Sequence, residues 1–206
     1  MNAMNALTQL FCIIFSYLLG AVPFGLLFAR LFGDVDVRSV GSGNIGATNV
    51  LRASGKKAAG LTLLSDVLKG YLPVLLVHLL FHDDLTTALS GAAAVLGHNF
   101  PVYLKFKGGK GVATGFGVVL AVSPWMGLTC LMAWLVASLI WRYSSLSALI
   151  AFAVYPLLTF LASPASSRPY GALSLFLFAM IYYRHRENIR RLIQGTEPRI
   201  GNKNRS

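Results

Sequence analysis

Seven apolar segments, at roughly 7–29, 58–81, 85–102, 112–122, 125–141, 146–162 and 170–183, take up most of the 206 residues of this chain. They are rich in Leu, Ala, Val and Phe, are longer than strands, and lack the alternation of barrel strands, so helices are predicted. A helix needs about 20 apolar residues to cross a bilayer. Only 12% of the residues are charged, against about 25% in a soluble domain. That is too little charge to cover a water-facing surface. The chain therefore reads as an all-α, polytopic membrane protein with residues 1–206 forming one domain.

Basic residues set the expected topology. Arg30, Arg38, Arg52, Lys56 and Lys57 lie between the first two segments, and Lys105, Lys107 and Lys110 follow the third. Arg184, Arg186, Arg190, Arg191, Arg199, Lys203 and Arg205 fill the tail. Were 112–141 a single span, the tail would fall opposite the other two clusters. Splitting it at Ser123-Pro124, where proline starts a helix well but cannot continue one, gives seven crossings. All three clusters and Arg142 then face the cytoplasm, Arg168 alone lies in an outer loop, and the amino terminus is outside. The first basic residue, Arg30, comes after the first apolar run, so an uncleaved first span is expected. Anionic headgroups and topology account for the net charge of +11, and no nucleic acid is called for.

Cys12 and Cys130 fall inside apolar segments and read as small fillers. The seven acidic residues, Asp34, Asp36, Asp66, Asp83, Asp84, Glu187 and Glu197, are scattered, with no carboxylate cluster of the kind that holds magnesium. No metal or cofactor is expected.

Three polar stretches interrupt this pattern. VGSGNIGATN, residues 40–49, contains a literal G-x-G-x-x-G, and Asp66 lies twenty residues past its last glycine. A dinucleotide site needs a strand before such a loop, whereas here an apolar helix precedes it and Asp66 sits inside the next one. The local physics survives. Gly41, Gly43 and Gly46 let backbone N–H groups turn toward one point, and Ser42, Asn44, Thr48 and Asn49 add donors suited to an anion. A capped structural turn is the competing reading.

In the second stretch, Phe106-Lys107-Gly108-Gly109-Lys110-Gly111-Val112 leads straight into an apolar helix. A helix amino terminus carries free N–H groups and partial positive charge, and Lys110 adds a full one. Because Gly111 follows Lys110, the stretch is not a Walker A loop. The third stretch, Tyr183 to Arg191, places His185 and Asn188 on one face of a continuing helix and lets Glu187 pair with Arg190 or Arg191. By the topology above, all three share a membrane face and form one site for phosphorylated substrates.

GSGNIGATN with Leu51-Arg52, GHNFPVYLKFKGGKGVAT and YRHRENIRRL together resemble the three motifs of the bacterial acyl-phosphate:glycerol-3-phosphate acyltransferases. The resemblance runs through nearly the whole chain, including Asp66, Lys69 and the Arg142–Leu146 turn. It implies a seven-helix inner-membrane enzyme, its site facing the cytoplasm. Such an enzyme moves a fatty acyl group from acyl phosphate to the 1-hydroxyl of glycerol 3-phosphate, giving lysophosphatidic acid and phosphate in the first committed step of phospholipid synthesis. By position it implies Ser42, Arg52, Lys110, His185 and Asn188 as catalytic and a structural Glu187. Gly108, Gly109 and Lys110 fall in a loop for glycerol 3-phosphate, to which Gly111 is joined here. Gly41, Gly43, Asn44, Thr48 and Asn49 belong to the first phosphate nest, and either Ser145 or Ser147 supplies a further serine. A monomer in membrane lipid is expected.

The chemistry is compatible. Acyl phosphate is already activated, so the protein must hold two anions close, stabilise an oxyanion and let one hydroxyl proton leave. Ser42 is expected to donate a hydrogen bond to a phosphate rather than to carry the acyl group. The proton goes either to a substrate phosphate oxygen or to His185. Two other readings compete. His78 to Asp83 matches the H-x4-D of thioester-dependent acyltransferases, but at the opposite end of the second segment. A transporter of a phosphorylated anion is the alternative function, with only Asp66 and Lys69 near midplane to support it.

Overall fold

Pro23 divides the first apolar segment. In the computed structural model, which describes residues 3–162 and 168–201, α1 (Ala3–Ala21) ends there and α2 (Phe24–Gly33) begins. The apolar run expected at 7–29 stays within one candidate span, Met4–Gly33, but is broken into two helices, because proline lacks the N–H that would continue α1. Seven more α-helices and no strand are present among the described residues: α3 (Ala47–Phe81), α4 (Asp84–Asn99), α5 (Val112–Val122), α6 (Pro124–Trp141), α7 (Ser144–Ala162), α8 (Arg168–Arg184) and α9 (Arg186–Ile193). Lys203 and Arg205 lie outside the described residues.

Met4–Gly33, Ala47–Phe81, Pro124–Trp141 and Ser144–Ala162 are long and apolar enough to cross a membrane, while α4, α5 and α8 are shorter. The α3 helix starts at Ala47 rather than at 58, and its first two turns carry Arg52 before a bend at Gly55 (φ 82°). Apolarity alone could not reveal that polar lead-in. Pro124 opens α6 at its first turn.

α1 packs on α4, α2 and α5 on α3, and α7 on both α6 and α8. At the α3–α5 crossing the backbones nearly touch: a β-carbon on Gly70 would lie 2.2 Å from the Thr114 carbonyl oxygen, and one on Gly117 2.0 Å from that of Val67. Small residues allow this approach where no hydrophobic effect drives helices together. Ser16 and Ser90 share a hydrogen bond at 2.7 Å between α1 and α4. Phe116, Val118, Phe152, Tyr155 and Leu177 fill the shared core. Phe11, Leu72, Leu139 and Leu161 point outward, a surface that suits lipid and not water.

The α1–α2 break is tied to α3. Lys69 Nζ donates to the Val22 carbonyl at 2.8 Å and lies 2.8 Å from Asp66 Oδ1, with both side chains almost fully buried. Removing one partner of such a pair leaves an uncompensated charge, costing about 3–5 kcal/mol. K69M is expected to lower Tm in detergent by roughly 10 °C, and D66N/K69M by less, since it leaves no lone charge. An unshifted K69M melting curve would refute that account.

His78 and His82 stack edge to face near the far end of α3, and Asp83 caps α4 through Thr86. Along α3, residue 82 is about 24 Å beyond Asp66. The H-x4-D stretch is a helix–helix turn.

Candidate active site

The first polar stretch is held by one buried side chain. Asn49 Nδ2 donates to the Val37 and Val40 carbonyls at 2.9 Å each, and its Oδ1 accepts from Ser42 N–H at 3.1 Å. Asn44 accepts from Gly46 N–H at 3.3 Å, the residue that precedes α3. Buried Val37, Ile45 and Val50 pin the loop from beneath. Ser42 and Arg52 are left exposed.

His98 organises the second stretch. Its carbonyl accepts from Gly109 N–H at 3.0 Å, and its Nε2 sits 2.0 Å from where a Gly109 β-carbon would be. A β-carbon on Gly108 would meet the His98 carbonyl oxygen at 2.2 Å. Arg184 closes the loop from α8, donating to the Gly109 carbonyl at 2.9 Å and the Gly108 carbonyl at 2.7 Å. Gly111, at φ 82°, turns the chain into α5 and leaves Lys110 beside the helix amino terminus.

The third stretch is broken where a continuing helix was expected. His185 stands between α8 and α9, yet it and Asn188 are both buried and on the same cavity. His185 Nδ1 lies 2.8 Å from the Ile181 carbonyl oxygen. A carbonyl only accepts, so Nδ1 carries the proton and neutral His185 keeps its Nε2 lone pair. Burial, and then the Lys110 charge, hold its pKa down at about 4.

These stretches meet on a cavity of about 410 Å³. Its polar wall includes Ser42, Asn44, Thr48, Asn49, Arg52, Lys110, Gly111, Ser145, His185 and Asn188. Thr48 and Ser144 hydroxyls, 3.4 Å apart, join the first stretch to the start of α7. Gly41, Gly43, Gly108, Gly109, Ser147 and Glu187 are not on that wall. Gly41 and Gly43 take positive φ, and Gly108 and Gly109 pack closely against His98. Ser147 donates to the carbonyl of Tyr143, the residue just ahead of α7, at 2.8 Å. Ser145 faces the cavity because two residues along a helix are about 200° apart. Glu187 is exposed, and Arg191 pairs with Glu197 at 2.8 Å rather than with Glu187. Arg38 pairs with Asp36 at 2.6 Å and borders a separate cavity with Lys107 and Arg184.

Lys110 donates to Asn188 Oδ1. Burial, opposed by Glu197, lowers its pKa to about 8, with Arg191 pushing the same way as burial. Asp66, His98, Arg191 and Glu197 also line the cavity, and none was singled out for the site from sequence. Leu63, Val67, Phe116, Leu120, Leu131 and Trp134 form its apolar side. A pocket with donors at one side and an apolar wall at the other can take an anionic headgroup joined to a hydrocarbon chain.

A family model described as glycerol-3-phosphate acyltransferase matches residues 10–195. The chain belongs to that family. A glycerol-3-phosphate acyltransferase of Dinoroseobacter shibae is 54% identical over 190 residues, 92% of each chain. One of Thioalkalivibrio sulfidiphilus is 51% identical over 191 residues, 93% of each. Among solved structures, PlsY, an integral membrane glycerol 3-phosphate acyltransferase, superposes in its glycerol 3-phosphate form with a TM-score of 0.90 at 47% identity, covering 94% of this chain and 96% of that one. Its lysophosphatidic acid form gives 0.88 at 46%, with the same coverage. Family membership makes the chain a glycerol-3-phosphate acyltransferase in the membrane.

Proposed function

We propose that the donor is an acyl phosphate and that the acyl group goes to the 1-hydroxyl of glycerol 3-phosphate. The products are then 1-acyl-glycerol 3-phosphate and inorganic phosphate, in the first step of phospholipid synthesis. The observation that carries this reading is the cavity on which Ser42, Arg52, Lys110, His185 and Asn188 converge from three separate stretches beside an apolar wall. Lys110 and the α5 amino terminus hold the glycerol 3-phosphate phosphate. Ser42 and Arg52 hold the phosphate of the donor, Arg52 by its fork of donors. The apolar wall takes the acyl chain.

Binding both anions side by side makes the reaction effectively intramolecular. The 1-hydroxyl oxygen attacks the acyl carbon, the carbon–oxygen bond to phosphate breaks, and the hydroxyl proton passes to a phosphate oxygen. No covalent acyl-enzyme is formed. His185, with its pKa near 4, is a weaker base than a phosphate monoester, whose second pKa is about 6. Its Nε2 orients the hydroxyl by accepting from it.

H185Q is accordingly expected to keep kcat within about tenfold of the parent, since a true general base contributes about 10²–10⁴-fold. Steady-state kinetics of H185Q checks this, and a loss beyond about 10² would restore histidine as the base. The surrounding expectations form one proposal: a monomer of one domain in the bacterial inner membrane, crossing seven times, with the amino terminus outside and the site open to the cytoplasm. The decisive assay mixes purified protein with palmitoyl phosphate and glycerol 3-phosphate and follows released phosphate. Folded protein that releases none above background would reject the reading.

A further inference from the structure

The tail beyond α9 turns back over the cavity. Ile200 N–H donates to the Arg142 carbonyl at 2.6 Å, and Arg142 Nη2 donates to the Ile200 carbonyl at 3.1 Å. This pins the tail to the α6–α7 turn and places Glu197 on the cavity wall. The matched family residues end at 195, before this carboxylate.

The Glu197 side chain is only 6% exposed. Its Oε1 accepts from Ser145 Oγ at 2.6 Å and from Asn188 Nδ2 at 2.7 Å, and its Oε2 accepts from Arg191 Nε at 2.8 Å. On its other side Asn188 accepts from Lys110. A carboxylate can only accept and an ammonium can only donate, so the Asn188 amide between them has a single workable orientation.

We infer that Glu197 is a positioning residue: through Asn188 it fixes where the Lys110 ammonium stands on the cavity wall. Asn188 takes one of the three Lys110 hydrogens and leaves two for a phosphate. The inference rests on the proposed acyl transfer, in which Lys110 holds glycerol 3-phosphate. The Glu197 charge also faces Lys110, together with Glu187 and Arg191 from α9, Arg184 from α8, and His185 at their junction.

Two variants separate positioning from bulk stability. E197Q can donate to Asn188 as well as accept, so the amide loses its fixed orientation, and a negative charge beside Lys110 disappears. The KM for glycerol 3-phosphate is expected to rise about 10- to 100-fold, the worth of a charge-assisted hydrogen bond. The KM for palmitoyl phosphate changes little. The high-pH fall in rate moves to lower pH, because the charge that favours the ammonium is gone. E197D keeps the charge but withdraws the carboxylate by one methylene, so KM for glycerol 3-phosphate rises without that pH displacement. Substrate phosphates titrate alike in all three proteins, so differences report the protein.

Parent, E197Q and E197D are assayed for phosphate release across pH with melting curves in parallel. An inactive parent would reject the acyl-transfer reading and, with it, the glycerol 3-phosphate role on which this inference rests. With an active parent, an unchanged glycerol 3-phosphate KM in E197D overturns the inference even if E197Q fails to fold. So does an E197Q whose KM rises with no movement of the high-pH limb.

Discussion

K110M lowers kcat/KM by about 10³-fold while leaving the protein folded. Truncating one member of a buried, hydrogen-bonded charge pair costs about 2–5 kcal/mol, and each 1.4 kcal/mol is tenfold. Here the partner left unpaired is the substrate phosphate, and among the described residues no other lysine lines the cavity. The same substitution raises Tm by about 2–4 °C. Burial has brought the Lys110 pKa down to about 8, below its value of about 10.4 in an unfolded chain. The unfolded state therefore binds the proton more tightly, and holding the charged amine in the site costs stability at every pH below about 8. That cost fades as pH rises from about 8 toward 10.4. Methionine removes it, trading function for stability. K110R does not rescue the rate, because a planar fork cannot replace a point charge on this stem. Any residual K110R activity no longer falls above about pH 8. Phosphate-release kinetics and thermal melts on the three proteins check these outcomes, and a K110M enzyme within tenfold of the parent contradicts them.

The second large effect comes from a single methyl group. G109A puts a β-carbon 2.0 Å from His98 Nε2 and within 3 Å of two ring carbons. The ring is buried, its carbonyl is bonded to Gly109 N–H, and Asp66 stands 3.8 Å from its other nitrogen. Relief must come from the loop. A shift of about 1 Å in a positioning group costs about 10² in rate, and overpacking adds about 1–3 kcal/mol of destabilisation. The obstacle is a side chain, so G109A costs less in an H98A background, an interaction that a double-mutant cycle measures directly. G108A meets backbone, the His98 and Asn99 carbonyl oxygens, and H98A gives it no relief. Equal rescue of both glycines would show that the His98 ring is not what sets the loop.

Much of the site was legible because phosphate binding is local chemistry. Glycines beside donors, and a lysine ahead of a helix, announce themselves within ten residues, as residues 40–49 and 106–112 do. Ser145 and Ser147 could not be told apart, since both are serines at the start of one helix and only its rotation decides which faces inward. The partner of Arg191 was not legible for a similar reason. Spacing along a helix favours Glu187 as the partner of Arg191, whereas the partner that forms comes from a tail folding back across the molecule. Pro23 was visible, but whether it kinks or ends a membrane helix depends on what satisfies the Val22 carbonyl beside it, and that group, Lys69, is 47 residues from Val22.

The sequence by itself determined that the chain is helical, that lipid surrounds it, and which short stretches seek anions. These follow from composition, period and the conformations open to glycine, all properties of neighbouring residues. Only the tertiary structure decided which donors share one cavity, which glycines make room for a histidine instead of a ligand, and that Glu197 sits opposite Lys110 across Asn188. Those outcomes depend on distances between residues far apart in the chain, which packing fixes and local pattern does not.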